Sequence, residues 1–317
     1  MRDYVNIGQM NLSMVTFRAE ELQNLSLVKK DSHKGQNGKV LVIGGSTLFH
    51  SASIWAAELL AHFVDLVFYY SPALLNRKIL KESKKMFRNG IVINIQELED
   101  YLKEADVILV GPGMKRKNNL TIKLDYHQYF NKVVEIEKIK DEGNLSYVLT
   151  NVLLAKYANK KFVLDAGALQ ELEIENINMD HILTPHQKEF LKLFPQRQFK
   201  LENEAELIKA IKKTLKISPA TYLLKIQGTD FVFSKKSQEK VWKISNGNEG
   251  LVKGGTGDLL AALVTAFYVK NPAQLAAASA SYILKSAADR LYQEQGPYYT
   301  TTQLLRQIPK TAWKLIS

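Results

Sequence analysis

From residue 39 onward, short runs of β-branched and aromatic residues alternate with longer stretches of helical periodicity. Residues 39–43 (Lys-Val-Leu-Val-Ile) precede a helical pattern over 52–63, residues 65–69 precede one over 74–87, and residues 90–94 precede one over 98–103. Runs of four or five apolar residues bounded by polar turns predict strands, and the 3.6-residue recurrence between them predicts helices. That alternation predicts an α/β domain with a mostly parallel central sheet. Residues 107–110, 162–164, 181–183, 222–225 and 230–233 are further strand candidates, the last two forming an antiparallel hairpin. Three helices are predicted over 259–269, 272–292 and 302–316; Pro272 opens the second at a tolerated first-turn position, and the small residues 276–281 let it pack closely. Residues 114–160, polar with helical periodicity, read as an excursion or flap before the sheet resumes. Residues 1–32 read as an N-terminal extension and 33–317 as one domain, because no repeat and no Gly/Ser- or Pro-rich linker divides the chain.

Composition narrows the chemistry. The 317 residues, 46% hydrophobic, are ample for a continuous core, and no apolar run approaches the length of a bilayer-spanning helix. With no apolar signal region after Met1, neither secretion nor a membrane is expected, and the expected location is the cytoplasm. The absence of cysteine excludes disulfides, thiolate nucleophiles and Cys-ligated metal sites, so oxygen and nitrogen groups must do the chemistry. A net charge of +11 favours anionic partners. Lysine clusters such as Lys209/Lys212/Lys213/Lys216 and Lys78/Lys81/Lys84/Lys85 fall at helical spacing, which predicts solvated faces, and without a recognition motif nucleic acid is not expected.

The most informative segment is residues 246–262, where Lys253-Gly254-Gly255-Thr256-Gly257-Asp258 leads into an apolar helix. Glycine permits close backbone approach, and a helix start offers unpaired N–H donors and partial positive charge, so Gly254, Gly255, Thr256 and Gly257 can form a phosphate-binding turn. Asp258 then stands in the first turn, where a carboxylate can accept a hydroxyl proton as a phosphoryl group leaves ADP or ATP. It could equally serve only to complement the helix dipole. Because that dipole lowers an aspartate's pKa, a base role is expected to rest on positioning. The GxxxxGK[ST] loop is absent, and Ile43-Gly44-Gly45-Ser46 lacks the GxGxxG spacing of a dinucleotide-binding strand.

Taken in order, several segments resemble the ribokinase-like, ADP/ATP-dependent NAD(P)H-hydrate dehydratases, including the C-terminal domain of bifunctional repair enzymes. His33-Lys34-Gly35-Gln36-Asn37-Gly38 with the following Gly-Gly-Ser turn is similar to the family's opening strand, and Gly111-Pro112-Gly113 to its GPG turn. Val163-Leu164-Asp165-Ala166 resembles its VLDADAL element, Leu183-Thr184-Pro185-His186 its LTPH element, Lys225–Thr229 its KGxxT turn, and Lys253–Asp258 its KGGSGD motif. The resemblance covers residues 33–317 and implies a three-layer α/β/α fold. It implies that a nucleotide phosphorylates the ring hydroxyl of hydrated NADH or NADPH, after which phosphate is eliminated.

Carried over by position, Asp258 is the base, Gly254, Gly255, Thr256 and Gly257 hold the transferring phosphate, and Lys225, Gly228 and Thr229 contact the nucleotide. Ala52, Gly113, His186 and Asp258 line the substrate pocket, with Glu189 supporting the turn after His186. The local alternatives are a capping histidine, a surface lysine at position 225, a first-turn carboxylate at 189, and an Asp165 that merely ends its strand. The implied co-substrate is ADP in preference to ATP, with Mg²⁺; the implied partner is a separately encoded NAD(P)H-hydrate epimerase, and the chain is implied to be a homo-oligomer. Ser51, Lys115, Gly167, Gln187, Lys188, Ile226, Glu249 and Ala262 depart from the family's pattern. A small-molecule kinase acting on a hydroxymethyl or sugar alcohol, and a nucleotide-binding protein without turnover, stay open as other readings.

Overall fold

The computed structural model describes residues 12–26, 28, 31–82, 88–116, 124–236 and 240–317. Ten strands form one sheet: β1 (Ser13–Thr16), β2 (Lys39–Ile43), β3 (Leu66–Tyr70), β4 (Ile91–Val92), β5 (Val107–Val110), β6 (Lys161–Leu164), β7 (His181–Leu183), β8 (Thr221–Ile226), β9 (Thr229–Ser234) and β10 (Lys240–Ile244). Their spatial order is β1-β10-β9-β8-β7-β6-β5-β2-β3-β4. From β4 across to β8 every pairing is parallel; β9 then pairs antiparallel with both β8 and β10, and β1 runs parallel to β10 at the edge. The predicted parallel sheet and hairpin are both present.

Strand alternation divides the core. Val40 and Val42 of β2 face one layer and Leu41 and Ile43 the other, as a period of two requires. The first layer holds α1 (Ser51–Leu60), α8 (Thr256–Tyr268), α9 (Ala273–Gln295) and α10 (Thr301–Ile316), with Leu80 of α2 (Leu74–Glu82). The second holds α3 (Leu98–Glu104), α4 (Glu142–Lys156), α5 (Ala166–Glu171), α6 (Gln187–Leu193) and α7 (Glu204–Ile217). Ala276, Ala277, Ala278 and Ala280 are fully buried where α9 crosses its neighbours, which is what their small size permits. Pro272 caps α9 rather than occupying its first turn.

Two expectations are revised. The described residues before 33 are not an appendage: β1 extends the sheet, Phe17 packs edge-on against Trp242 at 5.0 Å, and Leu22 is fully buried. Within 114–160, α4 is no flap, since an unbroken run from Leu145 to Leu154 is buried against the sheet. The predicted helix over 74–87 is present from Leu74 to Glu82; residues 83–87, with Lys84 and Lys85, lie outside the described residues. On α7, Lys209, Lys213 and Lys216 are exposed, a solvated face as their spacing predicts. Among the described residues, no helix is long and apolar enough to cross a membrane.

Candidate active site

The sheet's winding reverses at β2, which has β3 on one side and β5 on the other. In open α/β sheets ligands bind where strands deliver their carboxyl ends to such a switch point. The candidate residues leave the sheet at that edge. Gly113 follows β5, Asp165 follows β6, His186 follows β7, and Lys225 sits near the end of β8.

The turn before α8 is built from its own side chains outward. The Thr256 hydroxyl donates to the carbonyls of Leu251 (2.7 Å) and Lys253 (2.9 Å), and the Thr301 hydroxyl donates to that of Gly254 (2.7 Å). Lys253 donates to the Pro297 carbonyl, and its ammonium lies 4.9 Å from the Tyr299 ring centre. Gly255 has φ +95°, and a Cβ there would fall 2.5 Å from the Trp55 ring, so the sequence has one choice at this position. The first i→i−4 bond of α8 runs from Leu259 N–H to the Gly255 carbonyl, so the N–H groups of the preceding turn lack intrahelical partners. Gly254 has an ordinary φ and no atom within 4 Å of where its Cβ would lie; Gly257 meets only the Lys225 Nζ, at 3.7 Å. The turn is therefore open at Gly254, and at Gly257 it faces the Lys225 ammonium.

Beneath it lies a group of charges. Asp165 is buried; the Thr184 hydroxyl donates to its Oδ1 at 2.7 Å, and the Lys225 ammonium stands 3.7 Å from the same oxygen. Asp258 is half-buried. Burial first, and then the nearby Asp165 carboxylate, push its pKa up to about 7, against the lowering effect of Lys225. Desolvation and a like charge thus outweigh the lowering effect expected of the helix dipole. A carboxylate near neutrality is a stronger proton acceptor than one at the usual value.

His186 caps α6. Its Nδ1 accepts from Glu189 N–H (3.2 Å), and Glu189 Oε2 accepts from His186 N–H (3.0 Å), a reciprocal capping box. Glu189 is buried, accepts from Gln170 at 3.1 Å, and faces Arg116 at 3.9 Å and His186 Nε2 at 3.5 Å. Burial, aided by the charges of Lys225 and Arg116, lowers the His186 pKa despite Glu189, which favours the neutral imidazole whose Nδ1 accepts from Glu189 N–H.

The structure brings Lys225, Gly257, Asp258, His186 and Glu189 together, joined by Asp165 and Arg116. Lys225 is no surface lysine on a hairpin. Ala52 and Gly113 touch each other, a Cβ on Gly113 falling 3.2 Å from that of Ala52, and Trp55, one turn further along α1, reaches the cradle at Gly255. Gly228 and Thr229 stand apart at the β8–β9 turn, where Lys285 donates to the Gly228 carbonyl at 2.6 Å and Thr229 lines a separate cavity of about 220 Å³. A mostly apolar cavity of about 310 Å³, lined by Phe63, Phe267 and Trp313 among others, includes none of the candidate residues. Sequence reading missed Trp55 and Thr301, whose roles arise only from packing between α1, α8 and α10.

Among the described residues no group of three or more His, Asp or Glu side chains is placed to hold a metal ion.

A mostly parallel sheet between two helical layers, with a glycine turn and an acid at the head of α8, defines a ribokinase-like architecture. A ribokinase-like superfamily protein from Enterococcus faecalis superposes with a TM-score of 0.70 at 21% identity, covering 95% of this chain and 96% of that one. The ADP/ATP-dependent NAD(P)H-hydrate dehydratase of Bacillus subtilis, co-crystallised with ATP/Mg²⁺, does so with 0.67 at 17% identity, covering 98% and 100%. A family model described as NAD(P)H-hydrate dehydratase matches residues 40–310. The chain belongs to that family. It is 32% identical over 295 residues to the bifunctional NAD(P)H-hydrate repair enzyme of Methanocaldococcus jannaschii, covering 91% of this chain and 51% of the relative. It is 29% identical to the ADP-dependent (S)-NAD(P)H-hydrate dehydratase of Nitrosopumilus maritimus, covering 88% and 90%. The chain spans about half the length of the bifunctional relatives it matches.

Proposed function

We propose that this protein dehydrates the S form of NAD(P)H hydrate, using ADP or ATP, and so restores NADH or NADPH. The substrate's ring hydroxyl attacks the terminal phosphorus of the nucleotide, and its proton passes to the Asp258 carboxylate. The nucleotide leaves one phosphate shorter. The N–H groups of Gly254, Gly255 and Gly257 receive the phosphoryl oxygens, and the Lys225 ammonium offsets their charge. Thr256 serves by tying the turn, its hydroxyl being committed to backbone carbonyls. Ring-nitrogen electrons then expel phosphate, a far better leaving group than hydroxide, and loss of a proton from the neighbouring carbon completes the double bond. Mg²⁺ on the nucleotide supplies further charge neutralisation when bound. Ala52, Gly113 and His186 bound the substrate side, and Gly228 and Thr229 the nucleotide side.

The observation that carries this reading is the unfilled space over Gly254, in a turn where Lys225 Nζ lies 3.7 Å from the Gly257 Cβ position and the next residue is an acid with its pKa pushed up to about 7. Relatives' names specify ADP in one case and ATP in another; the expectation here is ADP. The reading takes the protein to act in the cytoplasm as a homo-oligomer, with an epimerase of the same hydrate as functional partner. Its test is incubation of the purified protein with hydrated NADH, Mg²⁺ and either nucleotide. Return of the dihydronicotinamide absorbance supports it; no return with either nucleotide, from folded protein that binds ADP, sinks it in favour of another acceptor alcohol.

A further inference from the structure

Asp165 takes no part in the reaction just described, yet it is held more firmly than the groups that do. The residue is 3% exposed. The residue after it, Ala166, adopts φ +45°, a left-handed conformation that costs a non-glycine residue on the order of 1 kcal/mol or more. Its backbone is clamped as well, since a Cβ on Gly111 would come within 1.8 Å of the Asp165 carbonyl oxygen. Strain retained at a buried carboxylate, within an ion pair, marks a residue whose placement matters to something other than packing.

We propose that Asp165 is a positioning residue of this site: its carboxylate, fixed by Thr184, holds the Lys225 ammonium beneath the open turn that receives the transferring phosphoryl group, and keeps that ammonium from closing onto Asp258. The geometry sets the competition. Lys225 Nζ lies 3.7 Å from Asp165 Oδ1 and 3.7 Å from the Cβ position of Gly257, between the buried acid and the cradle. A lysine freed from Asp165 would pair with Asp258, removing the cation from the phosphate and weakening the base together. The groups around Asp258 are Asp165 after β6, Lys225 of β8, and Glu189 with His186 at the head of α6, with Arg116 after β5 facing Glu189. Asp165 is the nearest in influence among the carboxylates, and its charge supports the raised pKa of Asp258.

The phosphoryl part of this inference rests on the proposed function, so the test includes a readout that needs no substrate. Carbon-13 titration of the Asp258 carboxyl, assigned with Asp258→Asn, is followed in the wild type and in Asp165→Asn, which keeps an acceptor for Thr184. The midpoint is expected to fall by about one unit or more once the like charge is gone and Lys225 is released. In turnover, the acid limb should move down by the same amount while kcat drops about tenfold or more at the plateau. An unmoved midpoint, whether activity is retained or lost evenly at all pH values, would leave Asp165 a packing residue and overturn the proposal. If Asp165→Asn does not fold, Lys225→Met reads the same pair from its other end: the Asp258 midpoint should rise, and a midpoint unchanged from wild type is equally fatal. A wild-type protein that never restores dihydronicotinamide refutes the functional reading, whereas the titration stands or falls separately.

Discussion

Two glycine turns lie at the carboxyl edge of the sheet, and Gly111 and Gly113 of one contrast with Gly254 of the other in why glycine stands there. At Gly111 and Gly113 the protein itself fills the space a side chain would need: the Asp165 carbonyl lies 1.8 Å from one Cβ position and the Phe49 carbonyl 2.4 Å from the other. At Gly254 nothing lies within 4 Å, and φ is ordinary. No internal demand requires glycine at Gly254, so its missing side chain makes room for something outside the chain. The closed turn holds the scaffold; under the proposed function the open one receives the ligand. In the sequence the two look alike.

The largest effect expected is chemical and belongs to the open turn. Asp258→Asn should lower turnover by roughly 10² to 10⁴-fold, the usual range for loss of a positioned base. Nucleotide binding, measured by calorimetry, should survive. Unchanged turnover would mean that the acid beside the open turn does no chemistry, and the comparison would lose its functional half.

The two turns separate under the same substitution. Gly111→Ala should destabilise by about 3 kcal/mol or more, through a backbone clash and a left-handed φ of +122° together. Gly257→Ala lies in the first turn of a helix with ordinary φ, so its stability should hold or rise by up to about 1 kcal/mol. Its cost is to the ligand: nucleotide affinity should fall about tenfold or more, as a charge-assisted bond to phosphate is lost. Chemical denaturation and nucleotide titration of the pair decide the matter. A Gly257→Ala protein that unfolds early, or binds as before, would break the distinction.

The acid near the open turn also leaves a mark on stability. Asp258 holds its proton more tightly folded than unfolded, because burial and Asp165 penalise its charge. Its neutral form is accommodated without penalty below the unfolded value near 3.8, and stability is lost as pH rises from there through about 7. Asp258→Asn should therefore stabilise the fold above pH 7 by on the order of 1–3 kcal/mol and change little below pH 4. Activity runs the other way, rising with pH through 7 as the base ionises. Thermal melts at both pH values check the sign; a variant no more stable than wild type at pH 8 would show that the acid is not strained by its surroundings.

Much of this was legible in the chain, for reasons that also explain the omissions. Parallel strands buried on both faces must be nearly continuous in apolar residues, which is why β2, β5 and β7 were found with their bounds intact. The edge strand β1 and its neighbour β10 carry no such mark. Residues 13–16 form β1 with two exposed positions, and β10 reads Lys-Val-Trp-Lys-Ile, its identity depending on Phe17 covering Trp242 from far away in sequence. Helix α4 hid for a different reason: it is buried all round, and its polar residues are spent internally, Asn151 donating to the Tyr147 and Glu171 carbonyls and accepting from Glu173 N–H. At the site, the glycines and Asp258 announced themselves by adjacency. The raised pKa did not, because it depends on Asp165 and Lys225, which only the sheet brings near.

His186 tests whether one residue can belong to both kinds of feature. Its imidazole caps α6 like a scaffold element, yet it stands with Glu189 beside Lys225, within the charge group under the open turn. Asparagine is a preferred N-cap that can accept the same Glu189 N–H, whereas alanine cannot, so His186→Ala should cost about 1 kcal/mol and His186→Asn only a few tenths. If the ring also borders the substrate, both variants should raise KM for the hydrate several-fold with kcat little changed, since a ground-state contact is removed. A KM that rises in the alanine variant and returns to the wild-type value in the asparagine one would assign His186 wholly to the scaffold, and the substrate wall would then have to be drawn from Ala52, Gly113 and Trp55.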